Sequence, residues 1–447
     1  MAMTTVPGPQ GSVLLGSLRD LRRDPLTTYL DAQRSYGDVV RFTAGPPGLR
    51  VNFYALFSAE GAKHLLATEA ATFRKDHSFY NETRAIIGNG LLTSQDDEYL
   101  RQRRLLQPLF TKKRVNEYDK AMDDETSALM KRWRDAPDGV VDVASEMTGL
   151  TLRIVSRALF GADSGAVEET IKQNFPILST SVVKRGFSPV RVPRGWPTPE
   201  NRRVAAARRE LYRVCDRIIA ARNDNHGEDL LSRLSQATTP EGDRLSPTEI
   251  RDQVLVFLLA GHETTATSLA FALHLLASHP EIQHQARDEI DAVLGGEPPT
   301  AADYDRLPYT TMVVKEAMRL YPAAPIVGRL ATADTEVDGH LIPAGANVVC
   351  SAWVTHRHPR YWDDPEHFDP QRFTPEHEAA RPRYAWIPFG GGPRACIGQH
   401  FSMLESVLTL AVMLREYSFD AIDTDPKVHT GITLRSTDPL RCRLTPR

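Results

Sequence analysis

Apolar residues return every three to four positions over most of the chain from about Pro25 to Arg319, the spacing of one helix face, so the body of the protein is predicted to be helical. Two shorter stretches break that rhythm. Gly37 to Ala55 and Leu330 to Val349 alternate β-branched and polar residues between turn residues and are predicted to hold strands. One helix start is well marked: Ser246-Pro247-Thr248-Glu249 joins an N-cap serine, a proline at the first helical position and a glutamate placed to close a capping box. Pro280 sets the far limit, which allows roughly 30 residues, or about 45–50 Å, enough to cross the molecule. Within it, Val254 to Ala277 is apolar on most faces and is predicted to be central and buried. Its middle, Gly261-His262-Glu263-Thr264-Thr265 with His274 beyond, is too polar for a free membrane span. Ser188 to Arg203 holds Pro189, Pro193, Gly195, Pro197 and Pro199, cannot be one continuous helix, and is predicted to separate two helical regions.

Composition narrows the class. A length of 447 residues suggests two or three cores, yet no repeat, low-complexity tract or concentrated linker divides the chain. With 41% hydrophobic and 25% charged residues the expected state is globular. A net charge of -3 gives no ground for a nucleic-acid partner or for attraction to an anionic membrane. The four cysteines, Cys215, Cys350, Cys396 and Cys442, are far apart and lack CxxC spacing, which argues against a disulfide framework or zinc knuckle and fits a reducing cytoplasm. The N-terminus offers only the short apolar run Val13-Leu14-Leu15, so neither a secretory signal nor a membrane anchor is expected.

The candidate chemistry begins with Phe389-Gly390-Gly391-Gly392-Pro393-Arg394-Ala395-Cys396-Ile397-Gly398, in the pattern FxxGxRxCxG. A thiolate ligand needs backbone N–H groups around the sulfur and a backbone that can approach a flat ring, which glycines permit. A helix starting after Gly398 would point its positive N-terminal end at that sulfur. A glycine-rich turn around a structural cysteine is the plainer reading of one glycine-cysteine pair, and the several fixed positions here outweigh it. Upstream, Ala260-Gly261-His262-Glu263-Thr264-Thr265 sets two small residues before an acid and two hydroxyls in the otherwise apolar helix. Small side chains leave a groove, and a carboxylate beside a hydroxyl can relay protons; a kink with threonines bonded back to the preceding turn is the alternative. Glu316 and Arg319 stand three residues apart, within reach of each other on a helix.

Taken in order, Pro-Gly-Pro near the start, Arg103, Gly261 to Thr265, Glu316 to Arg319, Phe368 to Phe373 and Cys396 resemble the cytochrome P450 family over nearly the whole chain. The resemblance implies one haem domain over residues 1–447, mainly helical and triangular with a long central helix and small β-sheets. It implies heme b held by Cys396 as axial ligand to iron, with Phe389 in the thiolate loop. Arg394, Arg103, Arg329 and Tyr99 are implied contacts to the haem propionates, with Tyr99 standing where the family usually has tryptophan. Gly261 is implied at the oxygen groove, and Thr264 with Glu263 at proton delivery. Glu316, Arg319 and Arg372 are implied to form a structural network; the acid usual before that arginine is Gln371 here.

The implied activity is a monooxygenase inserting one atom of O2 into a hydrophobic small molecule such as a fatty acid, terpenoid or polyketide. Electrons are expected from a ferredoxin with its reductase, or from a flavodoxin, docking on Arg101, Arg104, Lys112, Lys113 and Arg114, although an ordinary solvated face explains those cations equally well. The protein is expected to be a cytoplasmic monomer serving secondary metabolism. Candidate pocket segments are Asn81 to Leu92, Ile177 to Val192, Leu259 to Thr264, Ala323 to Val327 and Gly431 to Thr433, with Lys184, Arg185, Arg191 and Arg194 placed to meet a substrate carboxylate or simply to face solvent. A haem sensor without turnover and a thiolate isomerase or dehydratase stand as alternatives; the retained Glu263 and Thr264 argue against both.

Overall fold

A computed structural model describes the chain except for residues 1–4, 136, 162–163, 187, 189–190, 222–228 and 240–241. The first strand-like stretch forms β1 (Val39–Ala44) and β2 (Val51–Leu56), an antiparallel pair whose turn carries Gly45 and Gly48 at φ 112° and 81°. A two-residue strand, β3 (Phe73–Arg74), follows. The helical body is then built from α1 (Ser78–Ile87), α2 (Asp96–Leu106), α3 (Val143–Phe160), α4 (Ser164–Gly186), α5 (Pro199–Ala220), α6 (Pro247–Ser278) and α7 (Pro308–Leu320), among further helices such as Asp119–Trp133 and Pro280–Leu294. Beyond it come β4 (Ile326–Ala331), β5 (Asn347–Ser351), α8 (Gln399–Glu416) and a hairpin of β6 (Val428–Thr430) and β7 (Leu434–Ser436).

The main sheet has the order β1-β2-β5-β4-β3 and is mixed: β2 lies parallel to β5, with Phe53 opposite Asn347, and the other pairs are antiparallel. The second strand-like stretch thus supplies two strands of this sheet, with a small hairpin of Thr335–Val337 and His340–Ile342 between them. One apolar cluster draws buried residues from Leu26 to Leu444, and a smaller one surrounds the sheet.

The predicted central helix is α6. Ser246 Oγ accepts from the Glu249 amide at 3.3 Å, the Glu249 carboxylate accepts from the Ser246 amide at 2.8 Å, and Pro247 begins the helix, so the capping box forms as read. The helix runs unbroken through Gly261 to Ser278. By length and composition it could cross a bilayer, but its apolar stretch is mostly buried inside the protein. It packs on α3, where Thr151 Oγ1 donates to the His262 carbonyl at 2.9 Å. The loop read over Ser188 to Arg203 needs correcting at its end: Pro199 opens α5, capped by Thr198, whose hydroxyl accepts from the Asn201 amide. Proline lacks the N–H that a first helical turn leaves unused, so a residue counted as a helix breaker is here a helix starter.

Candidate active site

From Asp252 to Ala277 on α6, every residue is buried except Ala260, Gly261 and Thr264. Ala260 and Thr264 lie one turn apart on one face, so the middle of a buried helix opens onto an internal void. Gly261 has a separate reason to be small: a Cβ there would come within 3.2 Å of Val155 Cγ2 on α3. The groove expected from Ala260 and Gly261 together therefore rests on Ala260, while Gly261 lets two helices approach.

Four close contacts tie α1, α4, the stretch from Ala323 to Gly328 and the β6–β7 hairpin into a ring of segments. Gly186 at the end of α4 sits against Phe79 of α1, where a Cβ would lie 3.0 Å from Phe79 Cα. Gly431, in the β6–β7 turn, faces Ser179 of α4, with a Cβ position 3.8 Å from its hydroxyl. The Leu434 amide donates to the Ala323 carbonyl at 2.9 Å. Gly328 lies under His77, where a Cβ would meet Nε2 at 2.5 Å, and His77 caps α1. Of the pocket segments read from sequence, Ile177 to Val192, Ala323 to Val327 and Gly431 to Thr433 are linked through this ring, Asn81 to Leu92 joins through Glu82 and Arg185, and Leu259 to Thr264 reaches the hairpin through Glu263 and Arg435; residues 187, 189 and 190 lie outside the described residues. Phe79, Ile177, Ile326 and Ile432 on this ring are only partly buried, so its wall is largely apolar.

The thiol loop is held by backbone geometry. Gly390 and Gly392 take φ of 68° and 62°, and a Cβ on Gly392 would lie 1.9 Å from the Leu66 carbonyl oxygen, so only glycine fits. The Cys396 amide donates to the Phe389 carbonyl at 2.9 Å, which closes the loop, and Trp386 packs edge-on to the Phe389 ring. The helix α8 starts at Gln399 with Gly398 as its N-cap, as the loop's chemistry required. Cys396 is accessible, yet protein surrounds it closely enough for burial to push its thiol pKa up. The Gly398 amide, Arg103 and Lys75 pull the other way, but burial outweighs them. The amide and the nearby cations are therefore not sufficient by themselves to hold a thiolate, and a bound cation at the sulfur would complete the task.

Around the sulfur gather cations that make no ion pair with a carboxylate among the described residues, Asp96 near Arg394 being the acid felt most directly. Arg394 donates to the Ser94 carbonyl at 2.9 Å and lies over the Tyr99 ring at 3.8 Å; Arg103 donates to the Ala395 carbonyl at 3.0 Å; buried Arg329 bonds only its neighbouring Gly328 carbonyl. Tyr99 spends its hydroxyl proton on the Pro393 carbonyl at 2.7 Å, so its hydroxyl braces the thiol loop. Sequence reasoning missed Lys75, a fully enclosed lysine whose ammonium donates to the Leu92 carbonyl at 2.9 Å. Burial and then Arg329 and Arg394 hold its pKa well below the ordinary lysine value. No spacing rule marks Lys75; it becomes visible only when the chain folds.

This donor set fits a haem. Among the described residues no three His, Cys, Asp or Glu side chains converge as a metal cage, so a metal at the lone Cys396 thiol must bring its other ligands with it. Lys75, Arg329, Arg394 and Arg103, none of them ion-paired among the described residues, suit a ring that carries two carboxylates of its own.

On α6, Thr264 Oγ1 donates back to the Ala260 carbonyl at 2.8 Å, the alternative weighed for the sequence, while its side chain stays partly open to the void. Glu263 is buried and ion-paired with Arg435 of β7, and Thr267 Oγ1 bridges the Glu263 and Leu434 carbonyls at 2.9 and 3.0 Å. Nothing in the sequence pointed to Arg435.

Beneath the thiol loop, Glu316 and Arg319 are fully buried and joined twice, at 2.6 and 2.8 Å. Arg319 also donates to the carbonyls of His356, Pro365 and His367, the Asp369 amide donates to Glu316 at 3.0 Å, and Arg372 Nε stands 3.5 Å from the same carboxylate. The expected network of Glu316, Arg319 and Arg372 is formed, with Gln371 no obstacle to it. In the basic cluster, Arg101 pairs with Glu249 and Arg114 with Glu117, leaving Arg104, Lys112 and Lys113 exposed.

Comparison with known proteins agrees with this arrangement. The family model described as Cytochrome P450 matches residues 6–439. The chain is 34% identical to pentalenene oxygenase of Streptomyces avermitilis, over 99% of this chain and 97% of that protein. It is 35% identical to cyclooctat-9-en-7-ol 5-monooxygenase of Streptomyces melanosporofaciens, over 92% and 88%. The crystal structure of cytochrome P450DA heme domain superposes with a TM-score of 0.89 at 28% identity, covering 100% of this chain and 99% of that one.

Proposed function

Because the chain belongs to the cytochrome P450 family, a haem-iron monooxygenase family, we propose that it oxygenates a terpenoid inside the cavity between α6 and Cys396. Two relatives are named for terpenoid substrates, pentalenene and cyclooctat-9-en-7-ol. The observation that supports the reading is that Cys396 is accessible while, between Asp252 and Ala277 of α6, only Ala260, Gly261 and Thr264 are open.

In this reading residues 1–447 form one haem domain, which the apolar cluster spanning Leu26 to Leu444 supports. Cys396 would hold the haem iron through its thiolate. Arg103, Arg329, Arg394 and Lys75 would hold the propionates, and Tyr99 orients Arg394 through its ring and the loop through its hydroxyl. Heme b, when bound, supplies the activation of O2 and the oxygen transfer. The chain itself excludes water, holds one C–H bond near the iron and manages protons. Thr264 offers a hydroxyl at the open face of α6, and Glu263, one residue away, is placed to relay protons: released from Arg435, its carboxylate takes a proton from solvent water and passes it on. Electrons come from a separate ferredoxin and reductase, or a flavodoxin, approaching Arg104, Lys112 and Lys113; the enzyme works as a cytoplasmic monomer.

The test is spectroscopic. The reduced protein under carbon monoxide is expected to give the red-shifted Soret band of thiolate-ligated haem, and titration with sesquiterpenes to shift the ferric band from low to high spin. Cys396→Ser should lose the first band while keeping the fold. A wild-type band of the unshifted, imidazole-ligated kind would overturn the assignment of Cys396.

A further inference from the structure

The proposed substrate class leaves open whether the ligand carries charge, and the ring around the cavity speaks to that. Read from sequence, Lys184, Arg185, Arg191 and Arg194 look available to a substrate carboxylate. In the structure they are mostly engaged. Arg185 Nε lies 2.8 Å from Glu82 Oε2, and Arg194 pairs with the same oxygen. Lys184 pairs with Glu200 at 2.7 Å. Arg191 is exposed and bonds the Ser78 hydroxyl and the Ser188 carbonyl. Across the ring, Arg435 is held by Glu263.

Glu82 is the centre of this arrangement. It stands three residues after Phe79, on the face of α1 that meets the end of α4, so it lies in the seam where the ring closes. Its side chain is only 9% exposed, and one carboxylate answers two guanidiniums that are 14% and 34% exposed. Burial alone would raise the Glu82 pKa; Arg185 and Arg194 outweigh it and hold the group below its ordinary value, so it is ionised at neutral pH.

We propose that Glu82 is a specificity-determining residue: by holding Arg185 and Arg194 it removes free positive charge from the mouth of the cavity, so the site takes uncharged terpenoid hydrocarbons and alcohols and rejects carboxylates of the same skeleton. This rests on the cavity being the substrate site. A carboxylate entering the apolar ring loses its hydration and finds Arg185 and Arg194 already paired with Glu82, with Arg191 left at the exposed surface and Arg103, Arg329 and Arg394 committed in this reading to the propionates, whereas an alcohol or hydrocarbon meets no such penalty. Replacing Glu82 by glutamine keeps the shape and leaves both arginines without a carboxylate.

The test compares farnesol with farnesoic acid at pH 8, where the acid is ionised, using the haem-loaded protein and reading the dissociation constant by calorimetry alongside the Soret shift. The wild type is expected to bind farnesol at least ~10-fold more tightly than farnesoate. In Glu82→Gln the farnesoate affinity should rise ~10-fold while that of farnesol stays within about two-fold. Equal wild-type affinities, or a variant that tightens both ligands alike, would overturn the inference. Should the variant fail to fold, the wild type still decides. Weak farnesoate binding that does not change with salt supports the proposal, and tight binding that collapses with salt shows a free cation at the mouth and sinks it. If neither ligand binds, the cavity is not the substrate site and the inference falls with the proposed function; if both bind equally, only the inference falls.

Discussion

The two faces of the cavity are stabilised in opposite ways. Below the thiol loop, Glu316 and Arg319 are completely buried, and several backbone groups satisfy what the pair leaves over. Above it, Glu82 ties α1 to α4 and the chain beyond through arginines that remain partly open to water. A buried pair adds little over an apolar replacement but is costly to break, because the surviving charge stays in a poor solvent. A pair with one partner about a third open to water, as in Arg194 with Glu82, is screened more and costs less to open. The floor is therefore fixed and the roof is openable, an arrangement suited to a rigid cofactor site below and passage of substrate above.

That contrast makes graded predictions. Glu316→Gln should be the most damaging, removing about 3–5 kcal/mol and leaving Arg319 buried and uncompensated. Denaturant unfolding would show it, and a loss under 1 kcal/mol would mean that the floor is not the rigid half. Acid should come second. Burial pushes His262 down to about 4 and His356 down to about 3, and His356 is part of the floor, accepting from the Ile387 amide and bonded to the Arg319 carbonyl. Unfolded, each titrates near its ordinary value of 6.5, so between that and its folded value the unfolded chain binds more protons and stability falls as pH falls. From pH 7 to 5.5 each histidine should contribute a loss of about 1 kcal/mol, and unfolding curves that superpose at both pH values would refute it. The smallest effect belongs to the roof: Arg194→Gln should cost less than about 1 kcal/mol, most of it gone at high salt.

The same contrast explains what the sequence could tell. The floor and the loop are spelled in short stretches: Glu316 and Arg319 share one helix, and Phe389 to Gly398 fixes its own backbone through Gly390 and Gly392. The start of α6 was equally legible, since a capping box is completed within four residues. The roof is not local. Glu82 and Arg185 are 103 residues apart, and Glu263 and Arg435 are 172 apart. Each such residue looks like an ordinary surface charge until the fold brings its partner. Lys75 escaped for a related reason, since its importance comes from enclosure beside Arg329 and Arg394, which no local pattern announces. Pro199 misled by being read without Thr198, its cap.

The parallel pairing of β2 with β5 sets a timetable for making this protein. Phe53 lies opposite Asn347, so 294 residues (347 minus 53) must be synthesised after the first strand before its neighbour exists. At about 5–20 residues per second that is roughly 15–60 s. For all of it the β1–β2 hairpin carries an unpaired edge, a surface that invites association with other chains. The ribosome thus exposes early a strand that the finished protein covers late, and chaperone demand during synthesis should track the 39–56 segment more closely than any residue of the catalytic cavity.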